Sequence, residues 1–116
     1  MAVKRIVANI GSGDFEAARR FYGECLGMQA VMDHGWFLLL AGEGQSSPQL
    51  GFATEGGSGA PVPALSIEVD DLDAVRERME KAGIAFEYGP AEEPWGVKRF
   101  FVRDPFGRLV NILSHL

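Results

Sequence analysis

The chain has 116 residues, 47% of them apolar and 23% charged, a size and balance that predict one globular domain and exclude a disordered chain. Its 11 Lys and Arg against 16 Asp and Glu give a net charge of −5, which argues against nucleic acid or an anionic membrane as a partner. The single cysteine excludes an internal disulfide, no apolar run reaches the roughly 18 residues of a membrane span, and the N-terminal residues lack the apolar core of a signal peptide, so we expect a cytoplasmic protein.

Eight segments carry apolar or alternating patterns that are typical of β-strands, and two carry helical spacing instead. The predicted strands lie near residues 3–10, 29–33, 36–40, 49–53, 63–69, 85–88, 97–103 and 109–114. In the first predicted helix the apolar residues recur at helical steps, as Phe15, Ala18, Tyr22 and Cys25. The second helix repeats those steps with Leu72, Val75, Met79 and Ala82. The elements therefore run β-α-β-β-β twice.

Polar residues mark the starts of the two predicted helices. Ser12 or Asp14 is placed to cap the first helix, and Asp70 or Asp71 is placed to cap the second. Cys25 shares the apolar face of the first helix, and no histidine is placed to activate it. We therefore expect its thiol to be buried and inert.

A glycine-rich segment separates two similar halves of the chain. Residues 55–62 read Glu-Gly-Gly-Ser-Gly-Ala-Pro-Val, a composition typical of a loosely packed linker. After each predicted helix the sequences are alike, Leu26-Gly27-Met28 in one half and Ala82-Gly83-Ile84 in the other. A half of about fifty residues cannot bury a sheet face on its own. We therefore predict one domain of two modules, 1–54 and 63–116, joined by the linker.

Alternation gives each strand an apolar and a polar face. In the first strand Ile6, Ala8 and Ile10 are predicted to pack under the helices, which leaves Arg5 and Asn9 on the other side. The same rule turns a further polar set away from the helices: Gln49, Ser66, Glu68 and Asn111. Polar groups spaced among small and apolar side chains are typical of a ligand pocket. An ordinary solvated sheet face, or one covered by a second subunit, is the alternative.

Aromatic and acidic residues add detail to this face. Trp36, Trp95 and Phe101 are candidates to stack on a planar ligand. Three glutamates lie in or beside a predicted loop at 88–95, where they would form an acidic rim suited to a cationic guest or would simply be solvated: Glu87, Glu92 and Glu93. We expect Glu68 to pair with Arg5, which would lower the pKa of that carboxyl group.

Three stretches resemble the vicinal oxygen chelate superfamily, which includes glyoxalase I, ring-cleaving dioxygenases and bleomycin-resistance proteins. They are Phe21-Tyr22 with Leu26-Gly27, the Val-Asp-Asp-Leu-Asp sequence at 69–73, and Phe-Val-Arg-Asp-Pro-Phe-Gly at 101–107. Their order and spacing cover nearly the whole chain. The resemblance implies an α+β fold in which two βαβββ modules form a cupped, mostly antiparallel sheet.

The resemblance also implies a divalent metal held by one residue on each of the first, fourth, fifth and eighth strands. The matching positions here are Arg5, Gln49, Ala64 and Asn111. Arginine has no lone pair to donate, alanine has no donor, and the two amides are weak ligands for a transition metal. The two histidines lie elsewhere, His34 in a predicted hairpin turn and His115 in an exposed C-terminal tail. We therefore expect no metal ion and no other cofactor.

The leading hypothesis is a metal-free binding protein of the bleomycin-resistance type, which sequesters a small aromatic compound. The acidic net charge of the chain favours a cationic compound. Its predicted ligand-binding residues are Arg5, Asn9, Trp36, Gln49, Ser66, Glu68, Trp95, Phe101 and Asn111. We expect a homodimer that binds a small molecule and neither nucleic acid nor membrane. The alternative is a glyoxalase-like lyase or dioxygenase of the same superfamily with non-standard metal ligands.

Overall fold

The computed structural model describes residues 2–44 and 48–116. Strands and helices follow one another in the predicted order within these residues, and they confirm the α+β fold class. The elements are β1 (Val3–Gly11), α1 (Phe15–Ala18), a π-helix (Arg19–Cys25), β2 (Gln29–Asp33), β3 (Phe37–Ala41), β4 (Gln49–Ala53), β5 (Leu65–Val69), α2 (Leu72–Lys81), β6 (Phe86–Glu93), β7 (Val97–Arg103) and β8 (Leu109–His115). None of the described helices has the length and apolar character needed to cross a membrane.

The chain separates into two compact units. The first unit is Val7–Val62, and the second unit is Met1–Ile6 with Pro63–Leu116, so β1 contributes to both. In the first unit β2 pairs antiparallel with β3, β3 pairs antiparallel with β4, and β4 pairs parallel with β1. In the second unit β5 pairs parallel with β8, which pairs antiparallel with β7, and β7 pairs antiparallel with β6.

Each unit has an apolar core under its helical segment. In the first unit Phe15, Ala18 and Tyr22 pack on the buried side chains of β3 and β4, among them Leu38 and Phe52. In the second unit the core combines residues of α2 with those of β5, β7 and β8: Leu72, Val75, Met79, Val69, Phe100, Val102, Val110 and Ile112. The predicted alternation of β5 and β8 is confirmed, because their core residues leave Ser66, Glu68 and Asn111 on the opposite face.

Both helices begin at a predicted aspartate. The Asp14 carboxylate accepts a hydrogen bond from the Ala17 amide, and the Asp71 carboxylate accepts one from the Ala74 amide, each at 3.0 Å. A carboxylate in this position satisfies an amide that the first helical turn leaves without a partner.

The prediction that the apolar residues of β1 are buried under the helices was wrong, although Ile10 does lie on the helix side, beside Ala18 and Tyr22. Ile6 is 57% exposed and Ile10 39% exposed, and Ala8 is exposed as well, whereas Val7 is only 3% exposed. The reason is where the helical segments lie. In the first unit they pack over β3 and β4, and in the second unit α2 packs over β5, β7 and β8, so neither fully covers β1 within its own unit.

The first helix also differs from the prediction. Only Phe15–Ala18 is α-helical, and the following seven residues form a π-helix. A π-helix takes more residues per turn than an α-helix because each amide bonds to the carbonyl five residues back. Three residues after Tyr22 the chain has therefore not returned to the core face, and Cys25 is exposed rather than buried.

Two segments predicted as loops are more ordered than expected. The predicted loop at 88–95 is largely strand, because β6 continues to Glu93 with two register shifts against β7. The linker forms a tight turn in which the Gly56 amide donates to the Ala60 carbonyl at 2.7 Å. A side chain on Gly56 would meet the Pro61 carbonyl oxygen at 2.0 Å, so only glycine fits this close approach.

Candidate functional site

One face of the second unit carries a cluster of polar side chains, here called the polar face: Arg5, Ser66, Glu68, Asn111 and His115. The parallel pairing of β5 with β8 sets Ser66 beside Asn111 and Glu68 beside Leu113. Alternation keeps Ser66 and Glu68 on one side of β5, while Leu65, Ile67 and Val69 pack on the other side in the core. The same alternation along β8 continues from Asn111 to His115.

Glu68 lies at the centre of the charged part of the polar face. Its side chain is 11% exposed and its two oxygens have different partners. Arg5 donates from Nε to Oε1 at 2.8 Å, and His115 Nδ1 lies 2.7 Å from Oε2. Lys4 adds a longer contact, with Nζ 3.9 Å from Oε2. The predicted pairing of Arg5 with Glu68 is confirmed.

These contacts fix the ionisation of Glu68. Burial by itself raises the pKa of the carboxyl group, but the hydrogen bond from His115 and the positive charges of Arg5 and Lys4 outweigh it, so the pKa of Glu68 lies below its ordinary value. An ionised carboxylate only accepts hydrogen bonds, so His115 Nδ1 carries the hydrogen of their shared bond.

Asn111 supplies an unsatisfied acceptor in the polar part of this face. The residue is 7% exposed, and its Nδ2 donates to Ser66 Oγ at 3.2 Å. Its Oδ1 atom is buried and has no hydrogen-bond partner among the described residues. Leaving such an atom unpaired costs about 1–3 kcal/mol, so it is a place where a bound molecule gains free energy by donating a hydrogen bond.

Farther along the same sheet lies the Arg99 cluster, made of Tyr88, Glu93, Trp95, Arg99 and Phe101. Arg99 is 3% exposed, and its Nη2 lies 2.8 Å from Glu93 Oε2. The Tyr88 hydroxyl donates to Glu93 Oε1 at 2.9 Å. The guanidinium carbon is 4.8–5.1 Å from the centres of the Tyr88, Trp95 and Phe101 rings. The aromatic rings and Glu93 thus surround the guanidinium group of Arg99, a cation of the protein itself rather than of a ligand.

The acidic rim of the predicted loop therefore takes a different form. Glu93 is 7% exposed and paired with Arg99, because the extended β6 strand sets it beside β7. Glu87 pairs with Arg103 at 2.7 Å on the surface. Glu87 and Glu92 both keep the exposed positions that a solvated rim requires, and only Glu93 is buried.

The remaining predicted ligand residues lie in the first unit. The Trp36 ring stacks on His34 at 6.0 Å and lies 5.8 Å from the Phe37 ring. Asn9 pairs with Gly51, and a side chain on Gly51 would meet Asn9 Oδ1 at 2.2 Å. Gln49 is half-buried on β4, opposite Ala41.

Of the nine predicted ligand residues, the second unit contains six: Arg5, Ser66, Glu68, Trp95, Phe101 and Asn111. Within it the structure joins Arg5 to Glu68, Ser66 to Asn111, and Trp95 to Phe101 through Arg99. Asn9, Trp36 and Gln49 are in the first unit. Their role in ligand binding stays a prediction.

Sequence reasoning missed two central residues. His115 was expected in an exposed tail; its side chain is indeed 48% exposed, but the residue ends β8, pairs with Val97 and contacts Glu68. His115 follows Asn111 by four residues, so on an alternating strand both side chains lie on the same face, and this spacing could have identified it. Arg99 alternates with Val97 and Phe101 on β7 in the same way, which marks it as facing the same side as those apolar residues.

The residues at the implied metal positions do not fit a transition-metal ion. Arg5 is a cation engaged by Glu68, Ala64 ends in a methyl group, and Gln49 and Asn111 offer neutral amide oxygens. Both Glu68 oxygens already have cationic or imidazole partners. In the part of the chain that the structure describes, no three His, Cys, Asp or Glu side chains are grouped to hold a metal.

Comparison with known proteins agrees with this architecture. The sequence model of the Glyoxalase/Bleomycin resistance protein/Dioxygenase superfamily matches residues 4–112. No curated protein matches the sequence.

Three crystal structures illustrate the similarity in fold. Methylmalonyl-CoA epimerase from Mycobacterium tuberculosis is 22% identical, with a TM-score of 0.72 over 98% of this chain and 89% of that chain. A glyoxalase/bleomycin resistance protein/dioxygenase superfamily member from Vibrio splendidus 12B01 is 18% identical, with a TM-score of 0.63 over 99% of this chain and 100% of that chain. NAD-dependent benzaldehyde dehydrogenase from Legionella pneumophila is 16% identical, with a TM-score of 0.74 over 97% of this chain and 100% of that chain. At such low identity these likenesses concern the fold alone.

Proposed function

The chain belongs to the Glyoxalase/Bleomycin resistance protein/Dioxygenase superfamily, and from that premise we propose that it binds and sequesters a small aromatic molecule without the help of a metal ion. Members of one superfamily fold support different functions, so the function has to be argued from the residues of the site. The polar face of the second unit provides that argument.

The observation that carries the proposal is the unpaired Oδ1 atom of Asn111. A buried acceptor without a partner favours a ligand that brings a hydroxyl or N–H donor. Asn111 pairs across the strands with Phe101 on one side and Ser66 on the other. Phe101 is itself buried, but the half-buried Trp95 ring on the other side of Arg99 can meet a ligand, which favours a donor attached to an aromatic ring system.

The charges of this face favour a neutral ligand over a cationic one. Glu68 is paired with Arg5, His115 and Lys4, and Glu93 is paired with Arg99. A cationic guest at either carboxylate would have to displace a protein cation that is already in hydrogen-bond contact. We therefore favour an uncharged aromatic donor, such as a phenol or an aromatic amide, over the cationic compound that the net charge suggested.

The test compares ligands that differ in one hydrogen-bond donor. Purified protein is titrated with hydroxyl-bearing bicyclic and tricyclic aromatics and with their methyl ethers, which keep the ring but lose the donor. Calorimetry should show saturable binding that is about tenfold tighter for the phenols, because each unmade hydrogen bond to a buried group costs on the order of 1 kcal/mol or more. Asn111→Leu should remove this preference.

Gln29→Leu is the matched control, since it makes the same kind of change at an exposed amide of the first unit. It should leave both affinities unchanged. The proposal fails if no aromatic in the series binds saturably, or if Asn111→Leu binds the phenols as tightly as the unchanged protein does.

A further inference from the structure

A second concave site lies in the first unit, and it shares no residue with the polar face. This groove, here called the Tyr22 groove, is open to solvent and has a volume of about 230 Å³ beside α1 and the π-helix. Ile10, Ala18, Tyr22 and Phe52 form its apolar wall, and Ser12 and Asp14 contribute polar groups. We propose that the Tyr22 groove binds a small arylalkylamine, with the aromatic ring against Tyr22 and the ammonium group at Asp14.

The apolar wall suits a flat aromatic ring. The Tyr22 and Phe52 rings lie 5.3 Å apart at an angle of 47°, and Phe52 is almost fully buried while Tyr22 is half-buried. Ile10, near the end of β1, keeps 39% of its surface exposed in the groove. A ligand ring inserted here would remove this apolar surface from water and meet the partly exposed Tyr22 ring.

The charge of the groove selects a cation. Among the described residues that line the groove, Asp14 alone carries a formal charge. Its Oδ1 accepts the Ala17 amide, while its Oδ2 and the Tyr22 hydroxyl have no hydrogen-bond or ion-pair partner among the described residues. A carboxylate oxygen beside an aromatic ring favours an ammonium ion, which gains from both the opposite charge and the ring's negative face.

The shape of the helix supports the assignment. π-Helices are rare and occur frequently at functional sites, since they are less favourable than regular α-helix. Here the π-helix carries Phe21 and Tyr22 as neighbours, and only Tyr22 lines the groove, with the Phe21 ring 4.9 Å from it in an edge-to-face contact. The groove is smaller than the roughly 300–1,000 Å³ of sites for drug-sized ligands, so one ring with a short amine chain is the expected size.

The test uses three probes of similar shape and different charge. Isotope-labelled protein is titrated with phenethylammonium, phenethyl alcohol and 3-phenylpropionate, and binding is followed by NMR at the backbone amides. Phenethylammonium should bind most tightly, with the largest shifts at Ile10, Ala18 and Tyr22. Asp14→Asn should weaken its binding about two- to fivefold and leave phenethyl alcohol unaffected, because an exposed ion pair contributes modestly.

Asp14→Asn is chosen because asparagine caps a helix about as well as aspartate, so the local fold is kept. Glu16→Gln is the matched control, an exposed carboxylate of the same first turn that does not line the groove. It should change no affinity. Equal binding of the cation and the alcohol, shifts confined to other residues, or an unchanged affinity in Asp14→Asn would each overturn the proposal. None of these results depends on Asn111, so the outcome is separate from the function proposed for the polar face.

Discussion

Glu68 illustrates how a single buried carboxylate is kept ionised. Its side chain is 11% exposed, a position in which burial raises the pKa of an isolated carboxyl group. Arg5 and His115 each hold one oxygen, and Lys4 adds a weaker attraction. The favourable contacts outweigh burial, and the pKa of Glu68 falls below its ordinary value of 4.5. The ionised form is therefore part of the folded state.

This ionisation makes stability depend on pH. A carboxyl group whose pKa is lower in the folded chain stabilises the fold fully above its unfolded pKa, and the contribution disappears as the pH falls through the folded value. We predict that Glu68→Gln costs about 2 kcal/mol of unfolding free energy at pH 7, because hydrogen bonds to a charged group are lost. The difference from the unchanged protein should shrink steadily below pH 4.5.

Urea unfolding between pH 7 and pH 3 measures this prediction. Glu87→Gln is the comparison, because Glu87 also pairs with an arginine but on the surface, with 42% of its side chain exposed. It should cost well under 1 kcal/mol. A penalty for Glu68→Gln that stays constant down to pH 3 would contradict the assigned pKa direction.

Strand alternation was enough to predict some residue contacts and insufficient for others. The Arg5–Glu68 pair was foreseen because both residues lie on the polar faces of their strands. The role of His115 was not foreseen, because no turn or breaker residue marks where β8 ends and the sequence pattern did not show that the strand extends to His115. The enclosure of Arg99 required the register of β6 against β7, which follows from two irregularities that no local pattern reveals.

Among the secondary-structure elements, the strands matched the sequence prediction more closely than the first helix did. Apolar alternation located the strands because each has a buried neighbour to pack against. It overestimated the burial of Ile6 and Ile10 on β1, because burial depends on how far each helical segment reaches across its sheet. The change from α-helix to π-helix after Ala18 was also invisible, because both forms satisfy an apolar spacing of three and four at Phe15, Ala18 and Tyr22.

The β6–β7 strand pair contains one buried ion pair and one surface ion pair. Arg99 and Glu93 have side chains 3% and 4% exposed, whereas Arg103 and Glu87 are 50% and 42% exposed. Removing one partner of a buried pair leaves the other charge without compensation. We predict that Arg99→Met costs about 3–5 kcal/mol, whereas Arg103→Met, at an exposed arginine, lowers the unfolding free energy far less.

Chemical denaturation of both variants measures the difference, and the double variant Arg99→Met with Glu93→Gln tests its cause. Removing both charges should recover a substantial part of the stability lost in Arg99→Met, because no buried carboxylate is then left unpaired. If the double variant is as unstable as the sum of its single variants, the loss comes from packing against Tyr88, Trp95 and Phe101 instead.

For the molecule as a whole, the implied metal site is where the superfamily resemblance and the chemistry of the residues disagree most. The superfamily match covers residues 4–112, which include all four implied ligand positions. Three of these positions, Arg5, Ala64 and Asn111, fall in the second unit. Their side chains are a cation, a methyl group and a neutral amide, so this part of the chain has the scaffold of a metal-binding superfamily without its donors.

We predict that protein purified without chelator contains no stoichiometric transition metal, and that supplying the donors creates a site. The triple variant Arg5→His, Ala64→His and Asn111→Glu adds two imidazoles and a carboxylate, a ligand set typical of zinc or nickel centres. Replacing Arg5 also frees one oxygen of Glu68. Calorimetry should show one equivalent of Ni²⁺ bound by the triple variant, and binding at least about tenfold weaker when Ala64 is left unchanged. A stoichiometric metal in the unchanged protein would contradict this prediction. Its ligands would have to lie outside the matched positions, as the lyase or dioxygenase alternative with non-standard metal ligands requires.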